Sequence, residues 1–561
     1  MNVRSSFAAL GVLLAAASFQ PFASVAVAPA RAEPAAANLD DVVFSLGSTT
    51  FRLKRIEVLG GPASNAELAK LFDPAAPLPL AERLAGLSAA SVKIPELAIE
   101  TKIGERTQSF VYRDVVLEGV EHGTARAAKA QGASFRLSDP NEGEARGAYG
   151  EIDAKNFDLA LAARMAQGAP PAQGAAKAQL YEALSVQGVH FESARAELDA
   201  QSVTADRAFG RPPAQAPAKP AESSPQAERR LEQAELLRWL DAIRLEGVGV
   251  SEARLSLRLG DSPVDVKAAR VALPQLDGAR IDSLRADNLT YARDDRTIAV
   301  SAAEFKAIDL EALTDRERRG DPSSPAFGAL VLSKIAGTSA ERPEEKDFTL
   351  ERLEIDNGAQ AASGDLTLDV AFDRLRAQAA RVPAVAALGY SDIDASGRFS
   401  ALWRREAREL AVSGLSLDVA DMGAFKLTAL FAGFGPDLAS SDSATSAAAL
   451  RSVRLKTFDM NFVNRGLVER ALAAQAERAG VSVDEARQSD MQNASLLLPA
   501  LGGNAPPLRV IGSEAAKFLA DPRNFTLVGR SADGVGLHDL ELVSTPAAFF
   551  KKMEVTAYAN R

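Results

Sequence analysis

The chain contains no cysteine, which rules out disulfides, thiol nucleophiles and thiolate metal sites. Aromatic residues are scarce, at 6%, and alanine is frequent, so packing relies on small side chains more than on a dense aromatic core. An excess of basic charge is also missing. The formal net charge is −10, the wrong sign for displacing counterions from phosphates, so nucleic acid is excluded as a partner. Residues 315–319 form only a short mixed run, which reads as a solvated face. Beyond residue 32 no apolar run approaches the ~20 residues that span a bilayer; the best, 327–335, carries Ser333 and Lys334. No G-x-S-x-G elbow, P-loop or H-E-x-x-H is present, and Gly247-x-Gly249 lacks the third glycine of a dinucleotide loop. No catalytic or cofactor-binding set emerges, and no cofactor is expected.

What is present begins with an export signal. Arg4 supplies a positive start, residues 7–19 form an apolar core interrupted by Gln20-Pro21, and Ala30-Arg31-Ala32 gives a small-x-small cleavage site before Glu33. Residues 1–32 therefore read as a cleavable signal peptide. The mature chain is expected in the periplasm or another extracytoplasmic space, without a transmembrane segment.

A short pattern recurs four times: an apolar residue, any residue, Gly, Val or Leu, four residues, Ala, then Arg or Asp. It covers Gly119 to Arg126, Gly188 to Arg195, Gly247 to Arg254 and Gly414 to Asp421. Each copy reads as a strand with a glycine at a bend or bulge, followed by a second half-buried strand. Gly119, Gly188, Gly247 and Gly414 are thus expected to define hairpins. Arg126, Arg195 and Arg254 are either charges that protect strand edges or a row of cations along one sheet edge for acidic headgroups.

The chain of 561 residues is too long for one ordinary core. Composition and alternation divide it into an α+β repeat region (33–209), a Pro/Ala-rich linker (210–227), a helix plus β-meander (228–337), a loop (338–347), a second meander (348–438), a Ser/Ala linker (439–450) and a C-terminal α+β cap (451–561). Residues 326–335 read as a helix, and Ser513 as the N-cap of a helix over 514–520. Asp158 and Asp309 stand where N-caps should turn strand directly into helix. The expected fold is α+β and β-dominated: repeated antiparallel hairpins and meanders forming a long curved sheet with short closing helices.

Three histidines, His122, His190 and His538, lie at unrelated offsets and read as surface or hairpin residues; a metal or triad role is the alternative. Asp392, Asp394, Ser396 and Gly397 open like a calcium loop, but Trp403 stands where the bidentate Glu belongs, so a polar hairpin turn is the better reading.

The alternating meanders between Leu117 and Phe431, with the export signal and the missing catalytic motifs, resemble the AsmA/TamB-like periplasmic proteins of Gram-negative envelopes. The resemblance implies a long sheet with an apolar groove and bridge-like lipid transport. It departs where those proteins usually keep an N-terminal membrane anchor. Three functions follow: a non-enzymatic envelope protein whose sheet binds apolar ligand (lipid) or envelope components, an assembly protein that binds polypeptide partners, or a carboxylate-based hydrolase.

Overall fold

The computed structural model describes residues 36–62, 64–103, 106–139, 143–167, 175–214, 225–259, 262–312, 327–360, 364–440, 442–497, 500, 506–536 and 552–561. The signal segment, His538 and most of the Pro/Ala-rich stretch lie outside them. Strand predominates, all of it antiparallel, and the chain forms two compact units.

The first unit comprises residues up to Asp295 together with Ala307–Glu311. Its strands are β1 (Ala36–Leu46), β2 (Thr49–Leu59), β3 (Ala89–Ile103), β4 (Arg106–Glu121), β5 (Thr124–Ala130), β6 (Gly132–Asp139), β7 (Gly143–Tyr149), β8 (Ile152–Asp158), β9 (Ala178–Glu192), β10 (Ala196–Gly210), β11 (Ile243–Leu259), β12 (Ser262–Asp277) and β13 (Arg280–Arg293). Strands β1 to β4 pair in sequence. Strands β5 and β6 lie end to end along β4; β8 and β7 continue outward from them, and both meet β9. From β9 to β13 the meander is again sequential. Strands β10 and β11, on either side of the 210–227 stretch and α4, are direct neighbours.

Along these strands the buried side chains step by two, then three, then two. In β11 the apolar positions are Ile243, Leu245, then Val248, Val250, then Ala253, Leu255; in β10 the buried ones are Leu198, Ala200, then Val203, Ala205, then Ala208. A regular strand alternates strictly. The extra residue is absorbed where the backbone turns left-handed, at Gly247 (φ 63) and Glu252 (φ 46) in β11, and at Ala183 (φ 47) and Gly188 (φ 58) in β9. These residues fall in line across the sheet. Gly188 faces Gln201 between the pairs Gln187–Ser202 and Val189–Ala200, and Gln201 faces Glu252 between Asp199–Arg254 and Ser202–Ser251. Beyond Glu252 come Ala269 and then Asn288 (φ 51), so alternate strands carry the left-handed residue. A second line runs Ala183, Asp206, Gly247, Pro274. The sheet is thus creased along two lines five residues apart, and each crease resets which face a side chain points to. Strand β4 obeys the same rule, with Phe110, Tyr112, Val115, Leu117 and Val120 buried around left-handed Asp114 and Gly119.

The first unit has a packed interior. Of the eleven largest fully buried side chains only Met553 lies outside it. Phe110, Phe135 and Phe191 stack in series at 5.5 and 5.8 Å. Helix α1 (Asn65–Phe72) starts at Ser64, which accepts the Glu67 N–H, and α2 (Leu80–Ala85) follows it. Helix α3 (Leu159–Gln167) starts where the Asp158 carboxylate accepts the Leu161 N–H at 2.7 Å, the strand-to-helix device expected from sequence. Helices α2 and α3 close the cluster of Leu46, Leu80, Ala81 and Ala163. Helix α4 (Pro225–Ala242) leads into β11.

The second unit comprises Arg296–Lys306 and Ala312–Arg561. Its strands are β14 (Arg296–Asp309), β15 (Ala329–Ser339), β16 (Arg342–Gln360), β17 (Asp365–Gln378), β18 (Asp392–Arg404), β19 (Glu409–Val419), β20 (Gly423–Ala432), β21 (Arg454–Asn464), β22 (Asn524–Gly536) and β23 (Glu554–Ala559). Each pairs with the next. Helices α5 (Pro383–Ala386), α6 (Ser443–Ser452), α7 (Leu467–Ala479), α8 (Val483–Gln492) and α9 (Pro506–Ala520) connect them. A crease recurs here: Lys334 (φ 51) and Arg374 (φ 53) are left-handed, with Ser301 and Glu351 opposite.

Four sequence expectations are corrected. The expected helix over 326–335 is not formed by the described residues: from Ala329 they enter β15, because Leu330, Leu332 and Ile335 meet apolar partners on β16. The 338–347 loop is a tight turn at Ala340-Glu341. The 439–450 stretch holds α6, capped by Asp442, which accepts the Thr445 N–H at 2.9 Å. Ser513 lies inside α9, which starts a full two turns earlier at Pro506.

Candidate functional site

The four motif glycines fall at three kinds of place. Gly119 and Gly247 sit on left-handed residues of β4 and β11, and Gly188 on one of β9, but Gly188 lies on the first crease and Gly247 on the second. Gly414 is not left-handed; it adjoins a bulge where Ser400 pairs with Gly414 and Ala401 already with Val412. The third copy is no hairpin, since Ala253 and Arg254 stay within β11. Nor do the arginines share an edge. Arg126 is exposed on β5 beside Gly119, Arg195 lies in the β9–β10 turn, and Arg254 is mid-strand, 3.5 Å from Asp265. The Asp392 to Gly397 stretch is a strand and not a turn; Asp394 accepts from Arg376 at 2.9 Å. His122 occupies the β4–β5 turn.

What the structure does bring together is a row of apolar side chains across the second unit. Phe305 on β14 pairs with Leu330, Leu330 with Ile355, Ile355 with Val370, and Val370 with Phe399. Phe399 then pairs with Leu415, Leu415 with Leu427, Leu427 with Met460, and Met460 with Leu527. No polar residue interrupts nine consecutive strands. All nine side chains are only half-buried. A parallel row runs Leu332, Leu353, Phe372, Gly397, Leu417, Phe425, Phe462, Phe525, with Leu417 39% exposed.

Glycines flatten this face. Phe348 lies opposite Gly337, Phe372 opposite Gly397, and Phe458 opposite Gly529, and in each pair the ring fills the space a Cβ would need. The opposite face is polar: Arg398, Ser416, Lys426, Asn461 and Thr526 form one row, with Asn461 Nδ2 donating to Thr526 at 2.8 Å.

Helix α9 covers one end of the apolar face. Phe518 lies 6.2 Å from Phe462 and 5.6 Å from Phe525, and Ile511 joins Leu455, Phe458 and Leu527 over Val535, Met553 and Val555. Glu514 fastens this helix, accepting from Lys517 at 2.6 Å and from the Ala559 N–H at 2.9 Å. Those bonds, the one from Lys517 foremost, hold its carboxyl below the ordinary range. At the ends of β16, β17 and β18 a crevice of about 350 Å³ is floored by Phe348, Ala377 and Ile393 and rimmed by Lys346, Arg376, Asp392 and Asp394.

Sequence reasoning found the alternation of β17 and β20 but not the continuity of the row. The signal that carries it is the two-then-three spacing of apolar residues, which keeps partners in register through the creases.

Fold and face define a large antiparallel β-meander protein whose second unit carries continuous, half-buried apolar rows. A family whose description reads uncharacterized protein matches residues 416–560, a quarter of the chain, carrying β20 to β23. No curated protein matches. Among the described residues no helix is long and apolar enough to cross a membrane.

Proposed function

We propose that the protein is exported and that the second unit carries lipid, its acyl chains lying across the strands on the open apolar rows. The observation that carries this reading is the uninterrupted, half-buried apolar row from Phe305 to Leu427. Six strand-to-strand steps of ~4.8 Å make this portion roughly 29 Å long, against about 15 Å for the hydrocarbon of one leaflet. At ~0.8 kcal/mol per buried CH₂, half-burying a chain of about sixteen carbons gains roughly 6 kcal/mol, equivalent to tens of micromolar at best. Two such chains side by side on the two rows reach useful affinity, so a two-chain lipid fits better than a free fatty acid. The mixed-charge crevice at the strand ends suits a polar head. The pattern in residues 1–32 supports export, and the likeness to AsmA/TamB-like proteins is compatible with lipid passage along a sheet. Mass spectrometry of organic extracts of the protein, purified without detergent, tests the reading. Near-stoichiometric two-chain lipid is expected; protein that purifies lipid-free and takes up none from vesicles would overturn it.

A further inference from the structure

The polar face of the first unit points to a second site, independent of the lipid reading. We infer that His190, Glu197 and Asp199 bind one divalent transition-metal ion, zinc by donor type. His190 on β9 pairs across the ladder with Asp199 on β10, and Glu197 lies two residues from Asp199 on the same face. The three donor atoms lie within 4.8 Å of one another. Ligands on one tetrahedral zinc stand about 3.4 Å apart at ~2.1 Å bonds, so metal binding opens the 2.7 Å His190–Asp199 contact and rotates the Glu197 carboxylate inward.

Acidic side chains face one another here, with Arg146 and Arg258 both close enough to act on Glu192. Glu197 pairs directly with Glu192 on β9, and like charges facing across a ladder repel. Arg146 neutralises Glu192, at 2.8 Å, and Arg254, opposite Asp199, is engaged by Asp265. Asp199 is left with the His190 ring at 2.7 Å, and Glu197 has no ion pair or hydrogen bond among the described residues. Two carboxylates and an imidazole on rigid strands, with side chains of His190 and Asp199 42% and 44% exposed, leave room for water as the remaining ligand. Nitrogen and oxygen donors together suit zinc or cobalt better than calcium or magnesium.

The test titrates the full chain, stripped with EDTA and dialysed, with zinc by calorimetry and with cobalt(II) by visible absorption. One equivalent is expected, with a cobalt spectrum of low coordination number that zinc abolishes. His190→Ala and Glu197→Gln should each weaken binding at least about tenfold while Arg146→Ala should not. Unchanged far-UV circular dichroism checks folding; should His190→Ala fail it, the near-isosteric Glu197→Gln decides alone. No saturable binding at metal on the order of 0.1 mM, or equal binding by wild type and Glu197→Gln, would overturn the assignment.

Discussion

Gly247 and Gly414 share a motif but not a conformation, and substitution should separate them. Gly247 is left-handed at φ 63, and a methyl group there would overlap the Asp206 carboxylate. Gly414 lies outside the left-handed region with nothing within 4 Å of the added carbon. Gly247→Ala should therefore cost about 1–2 kcal/mol in denaturant unfolding, and Gly414→Ala less than about 0.5 kcal/mol. Equal costs would contradict the crease geometry. The same comparison shows what the sequence discloses about these bends. Where glycine takes the left-handed position the bend is legible, as at Gly119, Gly188 and Gly247. Where Asp114, Ala183, Glu252, Asn288, Lys334 or Arg374 takes it, the residue looks like any other on a polar face, because neighbouring strands impose the conformation. The closeness of His190, Glu197 and Asp199 was illegible for a related reason: they are near in sequence, but only the hairpin register turns all three to one side.

Of the helix ends expected from sequence, Asp158 was readable because a short polar side chain marked it; Ser64 and Ser482, whose capping box with Glu485 is complete, carry the same signal. Ser513 misled because a serine before an acidic residue looks the same inside a helix as at its start. Residues 326–335 misled because a short apolar run fits helix and buried strand alike until its neighbours are known. Helix α9 matters most to the proposed function, since it covers the end of the apolar face and Glu514 joins it to β23. With its carboxyl held below the ordinary range, the unfolded state binds more protons than the folded state in the window between the two values. The contribution of Glu514 is thus present above the ordinary carboxyl range near ~4.3 and lost as pH falls through the folded value. Glu514→Gln should speed hydrogen exchange in Pro506–Ala520 and Glu554–Ala559 at pH 7 and leave β14 to β18 unchanged, the difference shrinking as pH falls through the folded carboxyl value. No difference at pH 7 would show that the helix is held otherwise.

At the scale of the molecule the two units use one architecture to opposite ends. The first fills its creased sheet with Tyr112, Tyr181, Phe191 and their neighbours and closes it with helices. The second keeps equally regular apolar rows but leaves them half-buried from β14 to β20. Strand content and antiparallel pairing were legible in the alternation of residues such as Leu366, Leu368, Val370 and Phe372. Exposure was not, because whether a face is covered depends on elements far away in the chain. The most direct test places a photo-activatable benzophenone side chain at Phe399, in the middle of the open row, or at Arg398 on the opposite face, and irradiates each protein with vesicles of two-chain phospholipid. Covalent lipid at position 399 and little at 398 is the predicted result; equal labelling at both positions, or none at 399, would contradict the account.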